Sequence, residues 1–185
     1  MRILFAGATG VLGRATLPHL RGHAVTGLTR SPEKLQLLRD LGAEGAVCDV
    51  YASDALLQLA ERIEPEVVVN FVTDLAAGSF EANNRVRRER GPNLIGAATA
   101  AGATRLVTES VAFPLDGAAA AAVAELEDAS RAFAGASLIL RFGRLWGPGT
   151  FHEAEPEPPA VHVDEAGAEA ARLIVHAPAG TYVVA

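Results

Sequence analysis

The sequence has little of several residue types that carry chemistry: a single cysteine, Cys48, and a single lysine, Lys34, among 185 residues. One cysteine excludes an internal disulfide and a cysteine cluster that could bind a metal. No apolar run approaches the roughly 18 residues that a membrane-spanning helix needs. A strand is predicted directly after Met1, which leaves no room for a signal peptide. We therefore expect a cytoplasmic protein with no metal and no membrane partner.

Basic residues are also outnumbered by acidic ones, 16 to 22, which gives a formal net charge of -6. An acidic chain has no general attraction to nucleic acid, so we expect none as a partner. The five histidines are scattered without the spacing of a metal site. A chain of this length, half of it hydrophobic, suits one domain with its own core. We expect one domain over residues 1–185, acting on a small molecule.

Short apolar runs alternate with amphipathic stretches, which is typical of βαβ units and a parallel sheet. Strands are predicted at residues 2–6, 24–28, 45–48, 67–71, 105–108, 138–141 and 181–184. Helices are predicted at residues 12–20, 32–41, 53–63, 83–101, 118–133 and 164–176, the last one capped by Asp164. The arginine-rich run at residues 85–90 is interpreted as a solvated helix face. The predicted fold is α/β: a single-domain Rossmann fold whose doubly wound parallel sheet has about seven strands, with helices on both faces.

Glycines at positions 7, 10 and 13 stand between the first strand and the first helix. Such glycines permit a tight turn, a close approach of the backbone to phosphate, and close packing of helix on sheet. An ordinary glycine-rich turn is the alternative, but the strand–turn–helix context favours dinucleotide binding. The residues predicted to bind the pyrophosphate are Gly7, Thr9, Gly10, Val11, Leu12 and Gly13.

The end of the second strand indicates which nicotinamide dinucleotide is used. NAD sites place an acidic residue there, whereas NADP sites place a basic residue for the 2′-phosphate. Here Thr29, Arg30 and Ser31 follow with no acid, which favours NADP over NAD. Asp49, before Val50, is placed either to accept a hydrogen bond from adenine or to cap a loop.

Several segments occur in the order expected of one family. They are Gly7-x-x-Gly10-x-x-Gly13, Cys48-Asp49-Val50, Asn70-Phe71, residues 105–110, residues 140–149 and residues 161–164. Together they resemble the extended and atypical short-chain dehydrogenases/reductases, the NAD(P)-dependent epimerase/dehydratase family with its NmrA-like relatives. The resemblance implies that Phe71, Val72 and Thr73 lie along the cofactor, and that Ser110 and Phe142-Gly143 flank the nicotinamide. It also implies a homodimer formed through the helices at residues 83–101 and 118–133.

The chain departs from that family at its catalytic residues. The family's proton donor is the tyrosine of a Tyr-x-x-x-Lys motif, but the helix at residues 118–133 contains neither tyrosine nor lysine. The family's catalytic hydroxyl position falls on Val111, next to Ser110. Only residues 150–160 stand where larger relatives insert a substrate-binding subdomain. The pocket over the nicotinamide is therefore expected to be small, open, or completed by another subunit.

Four residues remain as catalytic candidates. Glu109 is predicted at the carboxyl end of a central strand, where a buried carboxylate can act as acid or base. Ser110 follows it, Asp74 borders the same pocket, and His152 lies in the shortened loop. The alternatives are a salt-bridged or solvated Glu109, a turn residue at Asp74, and a surface histidine at position 152.

Three functions follow from these observations. The first is an NADP-dependent reductase of a small organic substrate, whose proton comes from Glu109, water or the substrate itself. The second is a redox-neutral isomerase, cyclase or dehydratase on the same fold. The third is a nicotinamide-sensing regulatory protein without turnover.

Overall fold

The computed structural model describes residues 1–74 and 80–185, and within them seven parallel strands form one sheet in the order β3-β2-β1-β4-β5-β6-β9. The strands are β1 (Arg2–Ala6), β2 (Ala24–Thr29), β3 (Glu44–Val47), β4 (Val67–Asn70), β5 (Arg105–Val111), β6 (Ala136–Phe142) and β9 (Gly180–Val184). This order reverses between β1 and β4, and open α/β sheets bind ligands at such a switch point. The prediction of a doubly wound Rossmann sheet is confirmed.

Helices cover both faces of this sheet. They are α1 (Val11–Thr16), α2 (Leu35–Asp40), α3 (Ser53–Ile63), α4 (Phe80–Arg85), α5 (Gly91–Ala100), α6 (Gly117–Arg131) and α7 (Val163–His176). Short 3₁₀ turns extend α1 to Leu20 and precede α2 from Pro32. One buried cluster joins α1 and α7 to the sheet, and a second joins α3 and α5 to its other face. Because both faces are covered, every residue of β4 is buried.

The helix predicted at residues 83–101 is interrupted. A π-helical turn, Val86–Arg90, connects α4 to α5. This wider turn rotates the side chains relative to an α-helix, since its hydrogen bonds span five residues. Arg90 is only 4% exposed and Arg87 is half-buried. The interpretation of residues 85–90 as a solvated face is therefore wrong for these two arginines, although Arg85 and Arg88 are exposed.

Two local features near the end of the chain differ from prediction. The cap of α7 is His162, whose Nδ1 accepts a hydrogen bond from the Asp164 N–H at 3.3 Å, so the prediction of Asp164 as the cap is wrong. A second, two-stranded sheet pairs β7 (Arg144–Trp146) with β8 (Ala160–His162). It was not predicted, because strands of three residues carry too little pattern.

None of the helices in the described part of the chain is long and apolar enough to cross a lipid bilayer.

Candidate functional site

The glycine turn between β1 and α1 is closed by contacts that only glycine permits. Gly7 has a φ of +87°, and a Cβ atom there would collide with the backbone carbonyl of Phe71 at the end of β4. At Gly13, a Cβ atom would collide with the Gly7 carbonyl and lie 2.8 Å from the Ala8 Cα. These two glycines therefore set how closely the turn packs against β4 and α1.

The third glycine leaves its outer side open. Gly10 is exposed, and a Cβ atom there would lie 3.2 Å from the Gly7 carbonyl. The first hydrogen bond of α1 runs from the Arg14 N–H to the Gly10 carbonyl at 2.9 Å. The N–H groups of Val11, Leu12 and Gly13 precede it and have no partner within the helix. This combination of an open backbone and unpaired N–H groups fits a pyrophosphate.

The three residues predicted to bind the 2′-phosphate are the last residue of β2, Thr29, and the two that follow it, Arg30 and Ser31. Arg30 is exposed, and no hydrogen bond or ion pair involves it among the described residues. Thr29 is buried, and its hydroxyl accepts a hydrogen bond from the Ser31 N–H at 3.1 Å. Of the three, Arg30 has the free charged group that a 2′-phosphate would need.

Asp49 and Val50 follow β3. The Oδ1 of Asp49 accepts a hydrogen bond from the Tyr51 N–H at 3.0 Å, so this carboxylate caps its own loop. Its other oxygen has no hydrogen bond among the described residues. The capping alternative is thus observed, while the contact with adenine stays a prediction. Val50 is buried, and its carbonyl accepts a hydrogen bond from Asn93 of α5.

Phe71 and Phe142 form an aromatic cluster beneath the carboxyl ends of the central strands. The Phe71 ring packs edge-on against Phe5, with centroids 5.2 Å apart, and against Phe142 at 5.9 Å. Both rings are buried, so these residues can reach a ligand only through their backbones. Gly143 is needed next to them, because a Cβ atom there would lie 2.8 Å from the backbone of Pro159.

A cleft opens where β4 and β5 end, between the π-helical turn and α6. Its polar lining residues are Asn70, Thr73, Arg87, Glu109 and Ser110, and its apolar lining residues are Val72, Val111 and Leu126. Four of these, Val72, Thr73, Glu109 and Ser110, were predicted from the sequence as site residues. These four residues, which the sequence places at the ends of strands, therefore line the same cleft.

Glu109 and Arg87 are the charged groups of this cleft. Burial raises the pKa of the Glu109 carboxyl to about 7, although the positive charge of Arg87 acts against the shift. Burial likewise lowers the pKa of Arg87, and the charge of Glu109 opposes that change. The two groups interact without forming an ion pair within 4.0 Å, and a carboxyl with this pKa can donate or accept a proton near neutrality.

Ser110 is held by a buried network below the cleft. Its hydroxyl donates a hydrogen bond to Glu127 Oε1 at 2.6 Å. Arg141 donates two hydrogen bonds to the same carboxylate at 2.9 and 2.6 Å, and Arg131 donates one at 2.6 Å. Burial alone would raise the pKa of Glu127, but the bonds from Arg141, Ser110 and Arg131 outweigh it and hold that pKa at about 2. Glu127 is therefore an ionised anchor that fixes the Ser110 side chain.

Two other catalytic candidates do not line the cleft. Asp74 is half-buried, and its N–H donates a hydrogen bond to Asn83 Oδ1 at 3.1 Å. His152 lies beside β7, where it bridges to Trp146 and its ring packs edge-on against Phe151 at 5.1 Å. Their catalytic roles stay predictions.

Asn70, Arg87 and Glu127 were missed as site residues. The position of Arg87 depends on the π-helical turn, which no residue pattern in the sequence predicts. The partner of Glu127, Arg141, is 14 residues away on another element. The one available signal was the spacing of Glu127 and Arg131, which favours an ion pair along a helix.

Comparison with solved structures shows the same fold. WbmG of Bordetella bronchiseptica in complex with NAD is 18% identical, with a TM-score of 0.77 over 100% of this chain and 72% of that one. A Bacillus halodurans protein described as an NAD-dependent epimerase/dehydratase is 20% identical, with a TM-score of 0.81 over 99% of this chain and 92% of that one. At these identities the likeness concerns the fold alone.

Comparison of sequences is more specific. The 3-diazoavenalumate denitrifying reductase of a Streptomyces species is 36% identical over 184 aligned positions, which cover 81% of this chain and 58% of that protein. The chain thus spans little more than half the length of this relative. A family model described as NAD(P)H-binding matches residues 7–141, from the first glycine of the turn to Arg141 of β6. The chain therefore belongs to the NAD(P)H-binding family.

Proposed function

We propose that this protein is an NADPH-dependent reductase that transfers hydride to a small organic substrate bound in the cleft at the ends of β4 and β5. The observation that carries the proposal is the combination of an intact glycine turn with a helix α6 that contains neither tyrosine nor lysine. Such an enzyme keeps its source of hydride but has no standard proton donor. It fits substrates whose reduction needs hydride alone.

Different residues of the chain bind different parts of the cofactor. The turn of Gly7, Gly10 and Gly13 receives the pyrophosphate, and Arg30 with Thr29 and Ser31 receives the phosphorylated ribose. Asp49 accepts a hydrogen bond from adenine, and the backbones of Phe71 and Phe142 border the nicotinamide end. When bound there, NADPH supplies a hydride. Ser110, whose hydroxyl is held by a hydrogen bond to Glu127, lines the cleft.

The favoured substrate class is an aromatic diazo compound. Reduction of a carbonyl leaves an alkoxide that must be protonated, which in short-chain dehydrogenases is the work of the tyrosine. Replacement of a diazonium group needs no proton: Ar–N₂⁺ and H⁻ give Ar–H and neutral N₂, as the C–N bond breaks and a C–H bond forms. The relative at 36% identity is named for a denitrifying reduction of a diazo compound. Both points support the same chemistry for this chain.

An isotope experiment tests this proposal. The protein is mixed with an aryl diazonium salt and NADPH that carries deuterium at one of its two hydride positions. We expect one N₂ released per NADPH oxidised, with deuterium on the ring carbon from one labelled face of the cofactor and not from the other. Deuterium incorporated from heavy water instead, or equal transfer from both faces as in a protein-free control, would contradict the proposal.

The preference for NADPH is tested separately by Arg30→Ala. A charge-assisted bond to phosphate contributes about 1.5–3 kcal/mol, so we expect the variant to bind NADPH at least about tenfold more weakly. NADH lacks the 2′-phosphate, and its affinity should not change. Arg39→Ala, an exposed arginine of the neighbouring α2, is the control. Calorimetric titration measures each affinity, and equal losses for both nucleotides would reject the role of Arg30.

Glu109 supports one alternative, a redox-neutral isomerase or dehydratase. A carboxyl whose pKa is about 7 suits proton transfer on either side of neutrality. That function predicts turnover with no net consumption of NADPH and loss of turnover in Glu109→Gln. The isotope experiment separates the two functions, because stoichiometric oxidation of NADPH excludes the redox-neutral one.

A further inference from the structure

The π-helical turn and the end of α4 carry four arginines, and one of them differs from the rest. Arg85 pairs with Glu89 at 2.9 Å, and Arg88 pairs with Glu125 at 2.7 Å. The Arg90 guanidinium lies 3.9 Å above the centre of the Tyr51 ring, although its buried Nε has no hydrogen-bond partner among the described residues. Arg87 makes no hydrogen bond, ion pair or ring contact with any described residue. It is also the one of the four that lines the cleft.

An unpaired guanidinium in this position is costly. Arg87 is half-buried, and removing a charge from water is unfavourable when no hydrogen-bonded ion pair compensates for it; Glu109 acts on Arg87 only from beyond 4.0 Å. The exposed arginines nearby bear no such cost, because water solvates Arg85 and Arg88 directly. A ligand anion in the cleft would offset the cost at Arg87, and guanidinium binds carboxylates through two parallel hydrogen bonds.

The other residues of the cleft leave this cation available. Glu109 is the other charged lining residue, and it stands more than 4.0 Å from Arg87. Ser110 already donates its hydroxyl hydrogen bond to Glu127, so its oxygen can only accept a further hydrogen bond. Val72, Val111 and Leu126 form an apolar wall beside these polar groups. The cleft thus combines a cationic group with apolar lining residues.

We infer that Arg87 is a specificity-determining residue that binds the carboxylate of an unsaturated or aromatic carboxylic acid. The inference deepens the proposed function, on which it rests in taking the cleft as the substrate site and NADP⁺ as the bound cofactor. It restricts the substrates to organic acids. The proposed role of Arg87 does not extend to hydride transfer to an uncharged substrate.

Equilibrium binding tests the inference without any turnover. Protein saturated with NADP⁺ is titrated calorimetrically with cinnamate and, as the neutral match, cinnamamide. Arg87→Gln should weaken binding of cinnamate at least about tenfold, the size expected for a charge-assisted pair, and should leave cinnamamide unchanged. Arg88→Gln removes an exposed arginine from the same turn and should alter neither affinity.

A second variant should act in the opposite direction. Glu109→Gln removes the negative charge that competes with the ligand for Arg87, so cinnamate should bind more tightly above the pKa of Glu109. General damage to the cleft would weaken both ligands in both variants and would overturn the inference. No saturable binding of cinnamate, no preference for cinnamate over cinnamamide, or a weaker affinity for NADP⁺ in Arg87→Gln would each overturn it as well. Failure of the isotope experiment would leave these affinities unaffected, so the two proposals fail separately.

Discussion

Replacing Glu127 by alanine is expected to lower the free energy of unfolding by about 3 kcal/mol, because it removes the centre of the buried network under the cleft. The Glu127 side chain is 5% exposed and accepts four hydrogen bonds from Ser110, Arg131 and Arg141. Loss of one partner from a buried ion pair costs about 3–5 kcal/mol. The lower end applies here, since Arg131 and Arg141 are 46% and 40% exposed and can regain water.

Helix α6 offers a matched control in Glu125→Ala. Glu125 also pairs with an arginine through two hydrogen bonds, at 2.7 and 3.1 Å, but its side chain is 55% exposed. Exposed pairs contribute about 1 kcal/mol or less, so this variant should stay within that range of the wild type. Urea denaturation of both variants gives the comparison. If both variants lose the same free energy of unfolding, burial of Glu127 does not determine how much its ion pairs stabilise the fold.

The same network predicts a pH dependence in acid. The pKa of Glu127 is about 2 in the folded protein, against an ordinary value of 4.5. A lowered folded pKa means that the stabilisation is complete above pH 4.5 and is lost as the pH falls towards 2. Glu127→Ala should therefore unfold with a smaller loss of stability across that interval than the wild type. Parallel curves for the two proteins would contradict the assignment.

The parts of the site that follow the strand–turn–helix repeat were predictable. The glycine spacing, the reversal of strand order and the polar residues at strand ends all depend on local pattern and on general rules of α/β topology. Glu109 and Ser110 were placed at the end of β5 for this reason, although the strand itself extends to Val111 rather than ending at Thr108.

The residues that were missed depend on contacts that pattern does not encode. Arg87 and Arg90 turn inwards because the helix widens at Val86–Arg90, which is a consequence of packing rather than of propensity. From the sequence, Glu127 is one of three acidic residues in an alanine-rich helix, and only the packing of β6 brings Arg141 to it. His162 replaces Asp164 as the cap of α7 because β8 ends there, in a sheet too short to recognise. Charged side chains on helices are thus the part of this site for which sequence reasoning was weakest.

Gly13→Ala is expected to weaken binding of NADPH about 100-fold and to lower stability as well. The added Cβ would collide with the Gly7 carbonyl and lie 2.8 Å from the Ala8 Cα, and backbone atoms cannot move aside as a side chain can. The first turn of α1 must shift, which costs about 1–3 kcal/mol in overpacking. The N–H groups of this turn then no longer point at the phosphate. Each charge-assisted hydrogen bond to phosphate that is lost weakens binding by about 1.5–3 kcal/mol.

Two further glycines separate the effect on stability from the effect on binding. Gly10 is exposed, and Gly10→Ala places a Cβ atom 3.2 Å from the Gly7 carbonyl, so the fold should be kept while binding of NADPH is weakened. Gly96→Ala in α5 meets no atom within 4 Å and should stabilise the helix by up to about 1 kcal/mol without any change in binding. Calorimetric titration and urea denaturation of the three variants would distinguish these outcomes. If Gly10→Ala binds NADPH as tightly as Gly96→Ala, the pyrophosphate does not lie on this turn, because no phosphate could approach the backbone past that methyl group.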